Sequence, residues 1–356
     1  MKDDVVILNY TQDAIKDLTG IERNILTTHP YSSHVLRNII TLLSDSTKFI
    51  LPNCADFVDS ENFTQTHLDL ARLPYPVVAF EIPWVKETPL EQYRDFPVSL
   101  STKRIALCIE YSVEYKHLCP VHNIDRLLND HPEGGVLVFS IYYSDDEQLW
   151  IASTGGSFIP FNNKVQNVKD SKSNILPATR IAHEQLMMAG KIKSKNPRQF
   201  FAEPFIALPE FAAQMQSALG SREKLFSDIM LNTRDEVFAY IGACSLLNCA
   251  NVIIENASVP SAVTNKLPPS ARKKLKPQPK PKFEYKILQI SEERIISTKG
   301  AGVGGNETSL RRTHLRRGHL RRLSDKIVWV RPSVINPGST AGFLAKDYSI
   351  RKKNND

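Results

Sequence analysis

The chain has 356 residues, 42% of them hydrophobic and 23% charged, and these values exclude a fibrous or wholly disordered protein. The length allows one large domain with an appendage, or two ordinary domains. The formal net charge of +7 is unevenly distributed: residues 266–356 contain 22 Lys and Arg against 7 Asp and Glu, whereas residues 1–265 contain 23 against 31. An acidic body with a basic C-terminal part either binds itself or offers the basic part to an anionic partner.

Neither export nor membrane insertion is indicated. Only four apolar residues, residues 5–8, follow the charged start, and this run is too short for a signal peptide. No apolar run approaches the roughly 18–20 residues that a membrane span needs. The five cysteines are odd in number and Cys108 lies in a predicted buried strand, so no disulfide framework is expected. We expect a soluble, cytoplasmic protein without a membrane partner.

Residues 1–257 predict a body of helices and strands. Apolar residues at helical spacing from Val35 to Leu43 indicate an amphipathic helix, with Ser32 or Ser33 as its N-cap. Short apolar, β-branched runs predict strands at residues 77–82, 104–111, 136–143 and 149–153. Helix-forming residues predict three further helices at residues 178–189, 209–219 and 222–248. The predicted fold class is α+β, with a mixed helical body and a mainly antiparallel sheet.

A linker and a small basic β module are predicted after the body. Prolines and lysines dominate residues 258–282, which indicates a linker without regular structure. Residues 283–351 form the basic module. Two strands are predicted in it, at residues 283–290 and 326–331. The glycine-rich residues 299–309 lack the Gly-Lys-Ser/Thr ending of a phosphate-binding loop, so we interpret them as a flexible hinge.

The arginine-rich segment, residues 309–323, is the sharpest feature, because the tetrapeptide HLRR occurs twice in it around Gly318. Its arginines are bidentate phosphate donors that repel one another unless an anion binds. A tight turn at Ser324-Asp325 would pair this segment with the strand at residues 326–331. The sequence therefore predicts binding of nucleic acid, RNA or DNA. The candidate nucleic-acid-binding residues are Arg311, Arg312, Arg316, Arg317, Arg321, Arg322, Lys326, Trp329 and Arg331.

Three other interpretations of the arginine-rich segment stay open. It can be a solvated basic arm that protects a strand edge from aggregation. It can bind an acidic host protein, or dock on the acidic body of its own chain. His314 and His319 can act as general acid and base beside the arginines, as a metal-independent ribonuclease requires. Their spacing fixes no lysine, carboxylate or tyrosine partner, so we assign no catalytic residue.

Other motifs predict no cofactor and no metal. The segment HLCPVH brings His117, Cys119 and His122 close together, but no second cluster with zinc-ligand spacing accompanies it. Glu81 and Glu110 each fall inside a predicted strand. If both were buried on neighbouring strands, they could form an acid/base or metal site. A carboxylate on the solvent-facing side of a strand is the commoner arrangement. The segment HEQLM lacks the second histidine of the HExxH motif, so it predicts ordinary helix packing.

The order of five segments resembles a family of uncharacterised proteins encoded by bacteriophages and prophages. The segments are LNCANV, KLPPSARKKLKPQPKPKFEYKIL, RRTHLRRGHLRRL, KIVWVRPSVINPG and FLAKDYSI. The resemblance covers residues 247–350, with a looser similarity at LARLPYPVVAFEIPW, residues 70–84. It implies a viral gene that is expressed in a bacterial cytoplasm. It transfers no catalytic residue, because no activity is established for the family.

Overall fold

The structure, a computed structural model, divides into two compact units. The large unit comprises residues 1–247 and 254–288, and the small unit comprises residues 248–253 and 289–356. The described residues are 8–51, 53, 63–85, 93–96, 100–122, 124–167, 176–192, 198–249, 252–256, 283–290, 313–316, 319–322, 326–330, 333–335 and 343–344. Among them, no helix is long and apolar enough to cross a membrane.

Helices and strands alternate irregularly along the chain. The α-helices are α1 (Tyr10–Ile25), α2 (Pro30–Asp45), α3 (Gln65–Asp69), α4 (Arg126–Asp130), α5 (Pro177–Met188), α6 (Pro209–Leu219) and α7 (Arg222–Leu247). The first ten strands are β1 (Thr47–Ile50), β2 (Val77–Pro83), β3 (Lys103–Tyr111), β4 (Gly135–Ser144), β5 (Leu149–Pro160), β6 (Gln166–Asn167), β7 (Arg198–Gln199), β8 (Glu203–Ile206), β9 (Val252–Asn256) and β10 (Tyr285–Ile290). The remaining strands are β11 (Thr313–Arg316), β12 (His319–Arg322), β13 (Ile327–Val330), β14 (Ser333–Ile335) and β15 (Phe343–Leu344).

Eight strands form one sheet, in the order β8-β5-β4-β3-β2-β1-β10-β9. The pairs from β2 through β3, β4 and β5 to β8 are antiparallel. β1 is parallel to both of its neighbours, β2 and β10. The predicted fold class, α+β with a mainly antiparallel sheet, is confirmed.

Helices cover both faces of this sheet. α1 and α2 pack on one face, where Leu18 and Leu36 join a core with Leu107 of β3. α7 packs on the other face, where Tyr240 joins a core with Cys108 of β3. Successive residues of β3 thus enter opposite cores. This two-sided burial explains why the strand reads as a continuous apolar run rather than as an alternating pattern.

The strand predicted to open the basic module, β10, lies in the large sheet instead. Lys48 of β1 pairs with Tyr285, and Phe49 pairs with Lys286. Tyr285 is 1% exposed, so this strand is part of the core. The alternating pattern of residues 283–290 correctly predicts a strand, but it does not indicate that this strand belongs to the large sheet. Such a pattern identifies a strand and not the sheet whose edge the strand completes. The predicted linker (258–282) and glycine-rich hinge (299–309) lie outside the described residues.

The first two helices differ from the prediction for local reasons. α2 begins at Pro30, before the predicted caps Ser32 and Ser33, because proline suits the first position of a helix. α1 is not predicted by its apolar pattern, because two of its four buried residues, Thr11 and Glu22, are polar. A helix with a half-polar buried side gives a weak periodic signal.

β5 continues to Pro160, beyond its predicted end at residue 153, because it runs through Gly155 and Gly156. A Cβ atom at Gly155 would lie 2.3 Å from the carbonyl oxygen of Phe205. The glycines thus allow β8 to approach β5 closely. In the sequence the same residues look like a turn.

Two carboxylates from distant parts of the chain cap α1 and α2. Oε1 of the fully buried Glu81 accepts a hydrogen bond of 2.8 Å from the backbone N–H of Thr11. Glu210, in the first turn of α6, accepts hydrogen bonds of 2.9 Å from the backbone N–H groups of Tyr31 and Ser32. Neither helix is capped by the side chain of its own N-cap residue. The distant carboxylates therefore satisfy N–H groups that a helix leaves without an internal partner.

Replacing Glu210 with alanine should lower the free energy of unfolding by about 1 kcal/mol at pH 7, because the N–H groups of α2 lose their acceptor. Burial raises the pKa of Glu210, but hydrogen bonds from Ser32 and Tyr31 outweigh this effect and hold the pKa below its usual value. The stabilisation is therefore present at neutral pH and is lost as the pH falls through that lowered pKa. Urea unfolding at pH 7 and at about pH 3 measures both effects.

Glu184→Ala is the matched control, because Glu184 is an exposed carboxylate on α5. Its free energy of unfolding should stay within about 0.5 kcal/mol of the parent value. An equal loss in the two variants, or a loss at Glu210 that does not shrink in acid, would contradict the capping role.

Candidate functional site

The two HLRR repeats of the arginine-rich segment contribute one strand each, β11 and β12. β11 lies between β14 and β15 in a three-stranded sheet, antiparallel to β14 and parallel to β15. β12 forms a two-stranded sheet with β13, and the pair is antiparallel. The repeats are therefore alike in sequence and in extended backbone, but they have different strand partners.

The register of β12 and β13 confirms the predicted pairing of the arginine-rich segment with KIVWVR. Leu320 pairs with Trp329, and Arg322 pairs with Ile327. This is the register expected from the predicted turn; residues 323–325 themselves lie outside the described residues. Successive positions of a strand fall on opposite faces, so positions 321 and 322 bring basic residues to both faces of the ribbon.

The predicted binding residues are only partly covered by the described residues. Lys326 is exposed, directly before β13. Four other binding candidates have described strand positions: Arg316, Arg321, Arg322 and Trp329. Both candidate histidines, His314 and His319, also have described strand positions. Arg311, Arg312, Arg317 and Arg331 lie outside the described residues.

The two candidate histidines are not partners in any described strand pair. His314 pairs with Ile335 and with Leu344. His319 pairs with Val330. The register thus supplies no paired acid and base, and the ribonuclease hypothesis stays a prediction without added support.

Glu81 and Glu110 do not form a carboxylate pair. Glu81 pairs with Ile105 of β3. Ile105 and Glu110 are an odd number of positions apart in the same strand, so Glu81 and Glu110 lie on opposite faces of the sheet. Glu81 is buried as a helix cap, and Glu110 is partly exposed.

The segment HLCPVH is a surface segment. His117 and His122 are exposed, and Cys119 is partly buried, where burial raises the pKa of its thiol to about 12. Among the residues that the structure describes, no group of three or more His, Cys, Asp and Glu side chains could hold a metal ion.

A buried cluster of charged residues lies between α7 and the sheet. Glu236 is 0% exposed, and its Oε1 is 3.1 Å from Nη1 of Arg104 in β3. The Asp235 carboxylate lies 3.7 Å from Arg104, 3.7 Å from Lys191 and 3.5 Å from Arg234. These three cations therefore share two carboxylates. No sequence prediction includes this cluster, although two adjacent acidic residues in the middle of a largely buried helix are a detectable signal.

Asp228 extends this polar side of α7 two turns before Asp235. It is 2% exposed, and its Oδ2 accepts a hydrogen bond of 2.9 Å from Nδ2 of Asn232. Burial raises the pKa of Asp228 to about 6. The carboxylate is thus ionised at neutral pH, although burial makes its charged form energetically costly. Groups with pKa values shifted in this way are common at functional sites.

Two neighbouring cavities lie beside α7 in the large unit. The small cavity, of about 130 Å³, opens between α5, α7 and residues 198–202. The large cavity, of about 350 Å³, extends past the end of β5. Both cavities are lined by Thr179, Gln199, Phe200, Ala202 and Met230. No sequence pattern indicates these cavities, because their walls come from segments that are far apart in the chain.

Comparisons of the chain with models of protein families, with curated proteins and with solved structures found no match.

Replacing Asp228 with asparagine should stabilise the protein above pH 7 by up to roughly 3 kcal/mol, because the buried negative charge is removed. The pKa of Asp228 is raised from 3.8 to about 6. The native state therefore retains a proton that the unfolded chain releases, and the stability of the parent protein falls as the pH rises between these values. Urea unfolding at pH 4, 6 and 8 measures the effect, and the advantage of the variant should grow with pH.

Asp146→Asn provides the control, because Asp146 is exposed in the turn between β4 and β5. It should show no pH-dependent gain. A stability advantage of Asp228→Asn that is equal at pH 4 and pH 8 would argue against an ionised, buried Asp228.

Proposed function

We propose that the chain binds nucleic acid, RNA or DNA, through the arginine-rich segment, with contacts to phosphates and little reading of base sequence. The pairing of β12 with β13 is the observation that carries this proposal. It makes the second HLRR repeat one strand of an antiparallel ribbon. A two-stranded ribbon is narrow enough to enter the major groove of B-DNA, and extended arginines can equally follow a single strand.

The division of charge between the two units favours an external anion over docking within the chain. Residues of the small unit include 14 Lys and Arg against 6 Asp and Glu, whereas those of the large unit include 31 against 32. The large unit is therefore nearly neutral overall and offers no net negative charge to the arginines. A polyanion supplies many negative charges and gains further binding energy from counterion release.

The setting that fits this proposal is a reducing bacterial cytoplasm, as for a phage-encoded protein. The fully buried Cys108, which forms no disulfide, supports a reducing compartment. Capture of an acidic host protein is the competing outcome of the test below.

The test is a salt titration of RNA and DNA binding by the full chain. The affinity should fall with log salt concentration, with a slope of about −0.7 to −0.9 per phosphate contact. Replacing Arg316, Arg317, Arg321 and Arg322 together with glutamine should weaken binding to unrelated sequences alike and flatten the slope by up to roughly three or four. Fluorescence anisotropy of labelled oligonucleotides, with and without EDTA, measures affinity and reveals cleavage in the same samples.

The control removes four positive charges from exposed positions of the large unit, by replacing Lys16, Lys116, Arg180 and Arg222 with glutamine. Its net charge equals that of the test variant, but its slope should match the parent. Equal weakening in both variants would assign binding to net charge rather than to the arginine-rich segment. The absence of binding to either polymer at low salt would end the proposal and leave an acidic protein as the partner to seek.

A further inference from the structure

The small cavity between α5 and α7 has the composition of a ligand site and is independent of the proposed nucleic-acid interface. Most of its lining residues are apolar, including Leu186, Phe200, Leu231 and Phe238. Ligand sites combine such apolar walls with a few polar groups that fix orientation. Its volume of about 130 Å³ is close to the roughly 150 Å³ of a cavity that holds one benzene molecule. One six-membered ring therefore matches the available space.

Aromatic side chains form one end of this cavity. The rings of Phe200 and Phe238 are 5.6 Å apart in an edge-to-face arrangement. Phe63 contacts both, with ring centroids 5.0 Å from Phe200 and 6.0 Å from Phe238. This cluster holds Phe200 and Phe238 in fixed orientations, so their free faces and edges favour contact with another ring.

The polar groups of the small cavity are basic. Arg198, Arg234 and His183 line it, and its described lining residues include no acidic side chain. The large cavity adds Lys164 and His131, and its described lining residues also lack Asp and Glu. A wall with basic but no acidic residues attracts a negative charge.

Arg234 connects the small cavity with the buried charge cluster of α7. Its Nη1 is 3.5 Å from Asp235, and its guanidinium lies 4.8 Å above the ring of Phe238. Asp235 also pairs with Arg104 and Lys191, so its carboxylate is shared among three cations and does not engage Arg234 alone. The guanidinium fork of Arg234 has further N–H groups that can donate to an anion in the cavity.

His183 adds a buried nitrogen atom to this wall. Its Nε2 has no hydrogen-bond partner among the described residues. Burial lowers the pKa of His183, which favours the neutral imidazole. A neutral imidazole has one donor and one acceptor nitrogen, and a buried one without a partner is an uncompensated polar group that a bound ligand or water would satisfy.

We propose that the small cavity binds a monocyclic aromatic anion, with its ring against Phe200 and Phe238 and its negative group at Arg198 and Arg234. Larger substituents of the ligand extend into the large cavity, whose polar lining includes Asn162 and Lys164.

The test uses phenyl phosphate as the probe, because it joins one ring to one anionic group. Binding is measured by saturation-transfer NMR titration on the chain in which Arg316, Arg317, Arg321 and Arg322 are already replaced with glutamine. This background keeps phosphate contacts at the arginine-rich segment out of the measurement. Phenol and inorganic phosphate, each carrying half of the probe, should bind at least about tenfold more weakly than phenyl phosphate, because each lacks one set of contacts.

Arg234→Met should weaken phenyl phosphate binding roughly 10- to 100-fold, because it removes hydrogen bonds to a charged group. Arg222→Met is the matched control. Arg222 lies on the same helix with its guanidinium 5.2 Å above the ring of Phe226, and it does not line either cavity. The affinity of the Arg222→Met chain for phenyl phosphate should equal that of the background chain. Arg198→Met, at an exposed residue of β7, repeats the test without disturbing the Asp235 cluster.

Three results would overturn the proposal. Phenol binding as tightly as phenyl phosphate would mean an apolar cavity without anion selectivity. Inorganic phosphate binding as tightly would mean a site for anions that makes no use of the aromatic wall. Equal binding in the background, Arg198→Met and Arg234→Met chains would place the probe elsewhere. Failure of oligonucleotide binding leaves this test unaffected, because the two sites are in different units.

Discussion

The buried carboxylate of Glu81 joins three parts of the large unit. It caps α1 at Thr11, it belongs to the central strand β2, and its charge adds to burial in raising the pKa of Tyr285 in β10. Burial also raises the pKa of Glu81 itself, against the hydrogen bond from Thr11. The Glu81 carboxylate is stabilised only when α1, β2 and the distant β10 are all in place, so it couples the packing of these three elements.

Lys48 adds a cation to the same side of the sheet. Its Nζ donates hydrogen bonds of 2.6 and 2.7 Å to the carbonyl oxygens of Ser44 and Ser46, at the C-terminal end of α2. Burial lowers its pKa to about 8, although the charges of Asp45 and Glu81 oppose this. The helix layer is thus tied to the sheet by ionisable groups at helix ends, where unpaired backbone groups need partners. On the opposite face, the charged residues of α7 instead meet the sheet in the middle of the helix.

The sequence predicts elements better than it predicts their partners. Continuous apolar runs identify β2, β3 and β4 because both faces of these strands are buried. The short connection between β12 and β13 even limits their register, because few registers are compatible with it. By contrast, β10 joins the large sheet by pairing with β1, a strand more than 200 residues earlier in the chain, and no local pattern indicates that pairing. The cavities and the Arg104–Glu236 pair likewise depend on residues that only the fold brings together.

The position of β10 has a consequence for how the protein is made. During synthesis on the ribosome, β10 is made after nearly all of the other strands of the large sheet. Until residue 285 has been added, the edge of β1 that pairs with β10 stays unpaired. Open edges of this kind pair readily with other chains. The contact between β1 and β10 also closes a very long loop, which makes it an entropically expensive late step of folding. Nascent or truncated chains that lack β10 would therefore be the forms most exposed to aggregation and most dependent on chaperones.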